Sequence, residues 1–121
     1  MKRVLIVEDD PTWAMLVGKY VTQLGWESLA SGSPQDAINK LDAHEIDIIV
    51  LDMLLAAETG MALLNEMQAY NDLSKIPIVV LTNSPGVNIG DLAKYGVDAV
   101  LDKSSVGPED IKLKLKELAC G

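Results

Sequence analysis

The sequence predicts a doubly wound α/β fold, in which five helices cover the two faces of a five-stranded parallel sheet. Apolar runs rich in Val, Ile and Leu recur along the chain and are bounded by polar residues. Continuous rather than alternating runs are typical of strands buried on both faces. Amphipathic segments separate the runs, and right-handed crossovers then place helices on both faces. Strands are predicted at residues 4–7, 46–51, 76–81 and 99–101, with a weaker one at 27–30.

The first helix has the clearest signals. Its apolar residues follow helical spacing from Trp13 to Leu24, Asp10 precedes Pro11 as an N-cap, and Gly25 ends the pattern. Similar signals place the other four helices. Ser33 and Pro34 open the second, Thr59 precedes the third, residues 88–95 closed by Gly96 form a short fourth, and Pro108 begins the fifth.

The composition indicates one compact acidic domain. The chain has 121 residues, and its 10 Lys and Arg against 18 Asp and Glu give a net charge of −8. Residues 1–121 are therefore expected to form a single domain. The negative charge disfavours direct binding to nucleic acid or to an anionic membrane. The first apolar run is too short for a signal peptide or a spanning helix, so a cytoplasmic location is expected.

Polar side chains follow the predicted strands at their carboxyl ends, which is where ligands bind in such sheets. Glu8 and Asp9 follow the first strand, Asp52 the third, Thr82 the fourth and Lys103 the fifth. Two carboxylates about 5 Å apart repel by roughly 3 kcal/mol at an effective dielectric constant of about 20, so a cation is expected. The single cysteine and single histidine exclude a zinc site. Oxygen ligands with room for water favour Mg²⁺ or Mn²⁺.

Each of these residues also has an interpretation without function. Glu8 and Asp9 could form a solvated turn, and Lys103 could be a surface lysine. Asp52 is harder to explain in this way, because an aspartate at the end of an apolar run is rarely buried unpaired. Only the combination of positions is specific. Other side chains are expected to have no role in a site: Trp13 and Tyr20 pack in the core, His44 lies in a surface loop, and Leu113 is exposed.

The chain resembles the response regulator receiver domains of two-component signalling over essentially its whole length. The segments that carry the resemblance are VLIVEDD, IIVLDM, IVVLT and VLDKS. The resemblance implies a flavodoxin-like sheet with strand order 2-1-3-4-5. It also implies that Asp52 accepts a phosphoryl group, with Thr82 and Lys103 contacting the phosphoryl oxygens. The metal ligands that it implies are Glu8, Asp9, Asp52 and the backbone carbonyl of Leu54.

The sequence departs from this family at four positions. Val100 stands where the family has an aromatic switch residue, and Ser104 stands where it has a proline in a cis bond. A cis bond before serine costs roughly 3–4 kcal/mol, so a trans bond is expected. Ala56 replaces a loop proline, and Asn83 replaces a small residue. With no aromatic switch, output is expected to pass through Thr82 and the segment 86–96.

The resemblance implies a signalling module that takes its phosphoryl group from a sensor histidine kinase or a histidine phosphotransfer protein. The output partner would bind helix 4, strand 5 and helix 5, where Leu113 is a candidate contact and homodimerisation is one outcome. An alternative is a receiver-like interaction domain whose output does not depend on phosphorylation, which Val100 favours. The enzyme alternatives fit less well. A phosphatase needs an Asp-x-Asp nucleophile on strand 1, and a flavin phosphate would meet three carboxylates.

Overall fold

The computed structural model describes residues 2–52, 58–83 and 89–120. Their strands form one parallel sheet, and every predicted strand is present with its ends within two residues of the expected ones. The strands are β1 (Arg3–Glu8), β2 (Glu27–Ser31), β3 (Ile48–Asp52), β4 (Ile78–Thr82) and β5 (Val97–Asp102). Their order is β2-β1-β3-β4-β5, which confirms the predicted fold. The carboxyl ends of the three central strands therefore meet at one edge.

The helices begin where the sequence signals place them, with one shift. They are α1 (Pro11–Gln23), α2 (Pro34–Ala43), α3 (Glu58–Gln68), α4 (Ile89–Leu92) and α5 (Pro108–Cys120). Asp10 caps α1, because its Oδ1 accepts a 2.9 Å hydrogen bond from the Thr12 amide. Ser33 caps α2 through a 3.2 Å bond from the Asp36 amide. Thr59, expected before the third helix, lies inside α3.

The fourth predicted helix is shorter than residues 88–95. A single α-helical turn, Ile89–Leu92, is followed by a 3₁₀ turn, Ala93–Tyr95. Gly90 lowers the helix propensity of this segment, and Gly96 ends it with a φ of +84°, which favours glycine. The Tyr95 carbonyl accepts a 2.9 Å hydrogen bond from the Gln68 side chain instead of continuing a helical ladder.

Successive residues of the central strands point to opposite faces, so the core has two layers. One layer joins alternate strand residues to α1 and α5, and the other joins the remaining strand residues to α2 and α3. Trp13 and Tyr20 pack against the first layer, Leu113 is 60% exposed, and His44 is exposed after α2, all as expected. None of the described helices has the length and apolar run that a membrane crossing requires.

Candidate functional site

The end of β1 and the end of β3 place two carboxylates side by side. Glu8 is the register partner of Asp52, and their residues are only 6% and 8% exposed. Thr82, at the end of β4, is 6% exposed and pairs with Asp102 of β5. Three strand ends thus bring buried polar side chains to one edge of the sheet. Buried carboxylates of this kind require paired charges or bound cations.

Lys103 supplies the positive charge between the two carboxylates. Its ammonium group pairs with Oδ2 of Asp52 and lies 3.3 Å from Oε2 of Glu8. Its side chain is only 8% exposed, so water screens these ion pairs weakly. The Lys103 amide also donates a 2.9 Å hydrogen bond to the Thr82 carbonyl, which extends the contact between β4 and β5. The lysine side chain is therefore a buried partner of Asp52.

Burial works against the negative charge of Glu8. Burial raises the pKa of Glu8 above its usual value, although a hydrogen bond from the Asp10 amide and the charge of Lys103 both lower it. A hydrogen bond with the Asp9 side chain raises the Glu8 pKa further. Glu8, Asp9 and Asp52 carry three negative charges, and Lys103 balances one of them. This edge of the sheet therefore has an excess of negative charge.

The donor set at this edge fits a hard divalent cation. Buried Glu8 and Asp52 offer carboxylate oxygens, and exposed Asp9 extends them toward solvent. Mg²⁺ prefers such ligands and keeps several waters. Within residues 2–52, 58–83 and 89–120, no three acidic, histidine or cysteine side chains converge as a ready-made metal site, and Lys103 pairs with two of the three carboxylates. Leu54, the fourth implied ligand, lies outside the described residues.

Trp13 belongs to the site although it was expected only to pack in the core. The Lys103 ammonium lies 4.6 Å from the centroid of the Trp13 ring, within the range of a cation–π interaction. Helical spacing correctly placed Trp13 on the buried side of α1. That pattern carried no signal for Lys103, which is distant in the sequence. An aromatic residue in the first turn after an acidic strand end is the signal that could have suggested the contact.

The loop that carries Lys103 is held by Asp102. Oδ1 of Asp102 accepts hydrogen bonds from the Ser104 amide at 2.9 Å and from the Ser104 hydroxyl at 2.7 Å. These bonds lower the pKa of Asp102. The Lys103–Ser104 bond is trans, as expected. Val100, expected in place of an aromatic switch, is half-buried and packs against the core.

Besides that for Leu54, two expectations fall on parts of the chain outside the described residues. One concerns Ala56, which stands where the family has a loop proline, and the other concerns residues 86–88, which begin the segment expected to carry output. In the described part of that segment, Leu92 is buried and Gly90 is exposed. The output role expected for residues 86–96 therefore stays a prediction.

Residues 4–116 match the response regulator receiver domain. The transcriptional regulatory protein MalR of Bacillus subtilis is 36% identical over 98 residues, which are 79% of this chain and 41% of MalR. The chain spans less than half the length of each of the first three curated relatives that it matches.

Two solved structures share the fold. The receiver domain of the sensor histidine kinase PA1611 from Pseudomonas aeruginosa has a TM-score of 0.85 and 19% identity, covering 99% of this chain and 98% of that one. That structure has a magnesium ion in its active-site cleft. The second structure is the complex of the histidine kinase ThkA with the response regulator TrrA. One chain of that complex has a TM-score of 0.79 and 24% identity, with 98% of both chains covered.

Proposed function

The chain belongs to the response regulator receiver domain family, and we propose that Asp52 is the residue at which it accepts a phosphoryl group. The observation that carries this proposal is the buried ion pair between Asp52 and Lys103 at the carboxyl edge of the sheet. The same lysine also reaches Glu8. An interaction domain that made no use of phosphorylation would have no need of this buried charge cluster, so that alternative is not favoured.

The residues at the site have separate roles in the transfer. An Asp52 carboxylate oxygen forms a bond to phosphorus while the bond from phosphorus to the donor nitrogen breaks, and the electron pair leaves with the imidazole. Lys103 binds the phosphoryl oxygens as a compact positive charge. Thr82 donates a hydroxyl hydrogen bond to the same oxygens. The product is an acyl phosphate on Asp52.

We propose that Mg²⁺ is held by Glu8, Asp9, Asp52 and the Leu54 carbonyl. Mn²⁺ fits the same ligands. When bound, the ion neutralises carboxylate charge and stabilises the transferring phosphoryl group. The excess of negative charge around Glu8 supports this assignment, as does the magnesium ion in the PA1611 receiver domain. Asp10 is expected to take no part, because its side chain caps α1.

The phosphoryl donor is, by this proposal, a phosphohistidine on a sensor kinase or a phosphotransfer protein. The ThkA–TrrA complex supports a kinase partner for a chain of this fold. The output face comprises α4, β5 and α5, with exposed Leu113 as a contact. Homodimerisation through this face is one form that the output can take.

Intact-mass measurement tests the assignment of Asp52. The full chain is incubated with Mg²⁺ and a phosphoryl donor. One reaction uses a small donor such as acetyl phosphate, and a separate reaction uses a phosphohistidine protein. The wild-type chain should gain the mass of one phosphoryl group, and Asp52→Asn should gain none. Asp47→Asn is a matched control, because Asp47 directly precedes the same strand at its opposite end and should leave labelling intact.

Two results would contradict the proposal. Labelling of Asp52→Asn at the wild-type level would place the phosphoryl group on another residue. A wild-type chain that gains no mass from either class of donor would show that the charge cluster has another purpose.

A further inference from the structure

We propose that Trp13 is a positioning residue for Lys103. This role rests on the proposed function of Asp52. The indole ring holds the ammonium group beside the phosphoacceptor while the other partners of that group change. The distance from the Lys103 ammonium to the ring centroid is 4.6 Å. A cation at this distance from an indole face is attracted by the ring quadrupole, and tryptophan is the strongest of the aromatic residues in this respect.

The ring is held in place by the fold. Trp13 is the third residue of α1, whose start is set by the Asp10 cap and by Pro11 in the first turn. The indole is half-buried and packs against the core layer between the sheet and α5. The lysine, in contrast, reaches the site on a flexible four-carbon stem. Trp13 therefore provides a rigid surface against which the flexible side chain is oriented.

The three partners of the ammonium group differ in what happens to them as the site is loaded. Asp52 becomes an acyl phosphate, and Glu8 is a proposed metal ligand. The attraction of both carboxylates for Lys103 therefore falls when a phosphoryl group and a metal ion share their charge. The indole ring carries no net charge and binds neither group. The phosphoryl oxygens then replace these carboxylates as partners of Lys103, and the Trp13 ring is the partner that stays the same before and after loading.

Phosphorylation rates of Trp13 variants test this role. Trp13→Leu keeps an apolar side chain but removes the ring, and Trp13→Phe keeps a weaker ring. The rate constant for phosphorylation of Asp52 by acetyl phosphate should fall about 3- to 30-fold in Trp13→Leu, which is the range that a cation–π interaction supplies. Trp13→Phe should lie between Trp13→Leu and the wild type.

Trp26→Leu is the matched control. Trp26 is also half-buried and packs against the same core layer, but it precedes β2 at the opposite edge of the sheet. Among the described residues, no cation lies over its ring. Urea unfolding of both leucine variants measures the packing that each loses. Trp26→Leu should lose stability while its phosphorylation rate stays at the wild-type level.

A second measurement does not depend on phosphorylation. In NMR spectra of the unphosphorylated chain, the Lys103 ε-protons should be shifted upfield by the ring current of Trp13. The shift should disappear in Trp13→Leu and remain in Trp26→Leu.

The outcomes separate this proposal from the one that it rests on. If Asp52→Asn abolishes labelling but Trp13→Leu is labelled as fast as Trp26→Leu, the role of Trp13 is wrong and the role of Asp52 stands. Equal rates in Trp13→Leu and Trp13→Phe, or an absent ring-current shift, also overturn the role of Trp13 alone. A wild-type chain that no donor labels overturns both.

Discussion

Replacement of Lys103 by methionine tests the charge balance on which the site depends. At 3.3 Å and an effective dielectric constant of about 20, the gross attraction between Lys103 and Glu8 is about 5 kcal/mol. The substitution also removes the cost of burying the ammonium group, so the net effect is smaller. Breaking a buried pair by removing one partner costs roughly 3–5 kcal/mol. We expect Lys103→Met to lower the free energy of unfolding by about 3 kcal/mol near neutral pH.

Lys112→Met is the control for this change. Lys112 pairs with Glu109, whose side chain is 87% exposed, and such surface pairs contribute about 1 kcal/mol or less. Urea denaturation followed by circular dichroism measures both variants. If Lys103→Met destabilises the chain no more than Lys112→Met does, the buried carboxylates have another source of compensation and the reasoning is wrong.

The destabilisation by Lys103→Met should shrink as the pH falls. Burial raises the pKa of Glu8 in the folded chain, and the loss of Lys103 removes two contributions that lower it. The folded variant therefore takes up a proton at a higher pH than the unfolded chain, whose Glu8 titrates near 4.5. Protonation of Glu8 restores part of the stability of the variant. This contribution is fully present below pH 4.5 and is lost as the pH rises through the folded-state pKa of Glu8. The free energy of unfolding of the variant should therefore be closer to that of the wild type at about pH 5 than at about pH 7.

Two further predictions concern single side chains. Asp9→Asn should abolish Mg²⁺ binding measured by calorimetry. Asp10→Asn should keep Mg²⁺ binding and change the free energy of unfolding by less than about 1 kcal/mol, because asparagine also caps helices. An equal loss of Mg²⁺ binding in both variants would refute the division of roles. Gly96→Ala should destabilise the chain by at least about 1 kcal/mol in urea, because its Cβ would lie 2.6 Å from Nε2 of Gln68 at a φ of +84°. Gly32→Ala is the control, because a Cβ added at Gly32 has no atom within 4 Å. An equal loss of stability in both variants would contradict the reasoning.

The local patterns of the sequence determined most of the fold. Apolar runs predicted four of the five strands, and the Asp10 and Ser33 caps predicted the starts of two helices, because these signals act over a few neighbouring residues. The weaker segment 27–30 predicted β2 by completing the alternation of strands and helices. The third helix start was one exception, since α3 begins at Glu58 and includes Thr59. The length of α4 was another, since it depends on Gly90 and on a hydrogen bond from distant Gln68.

The sequence also determined which residues stand at the ends of the strands, because the carboxyl end of a strand is a local feature. It could not determine which side chains touch. The contact of Lys103 with Glu8 joins residues 95 positions apart, and the contact with the Trp13 ring depends on how α1 packs against the sheet that contains β5. Such contacts are set by the order of the strands and the packing of the helices. Only the tertiary structure therefore brought Lys103 between two carboxylates and over an indole ring.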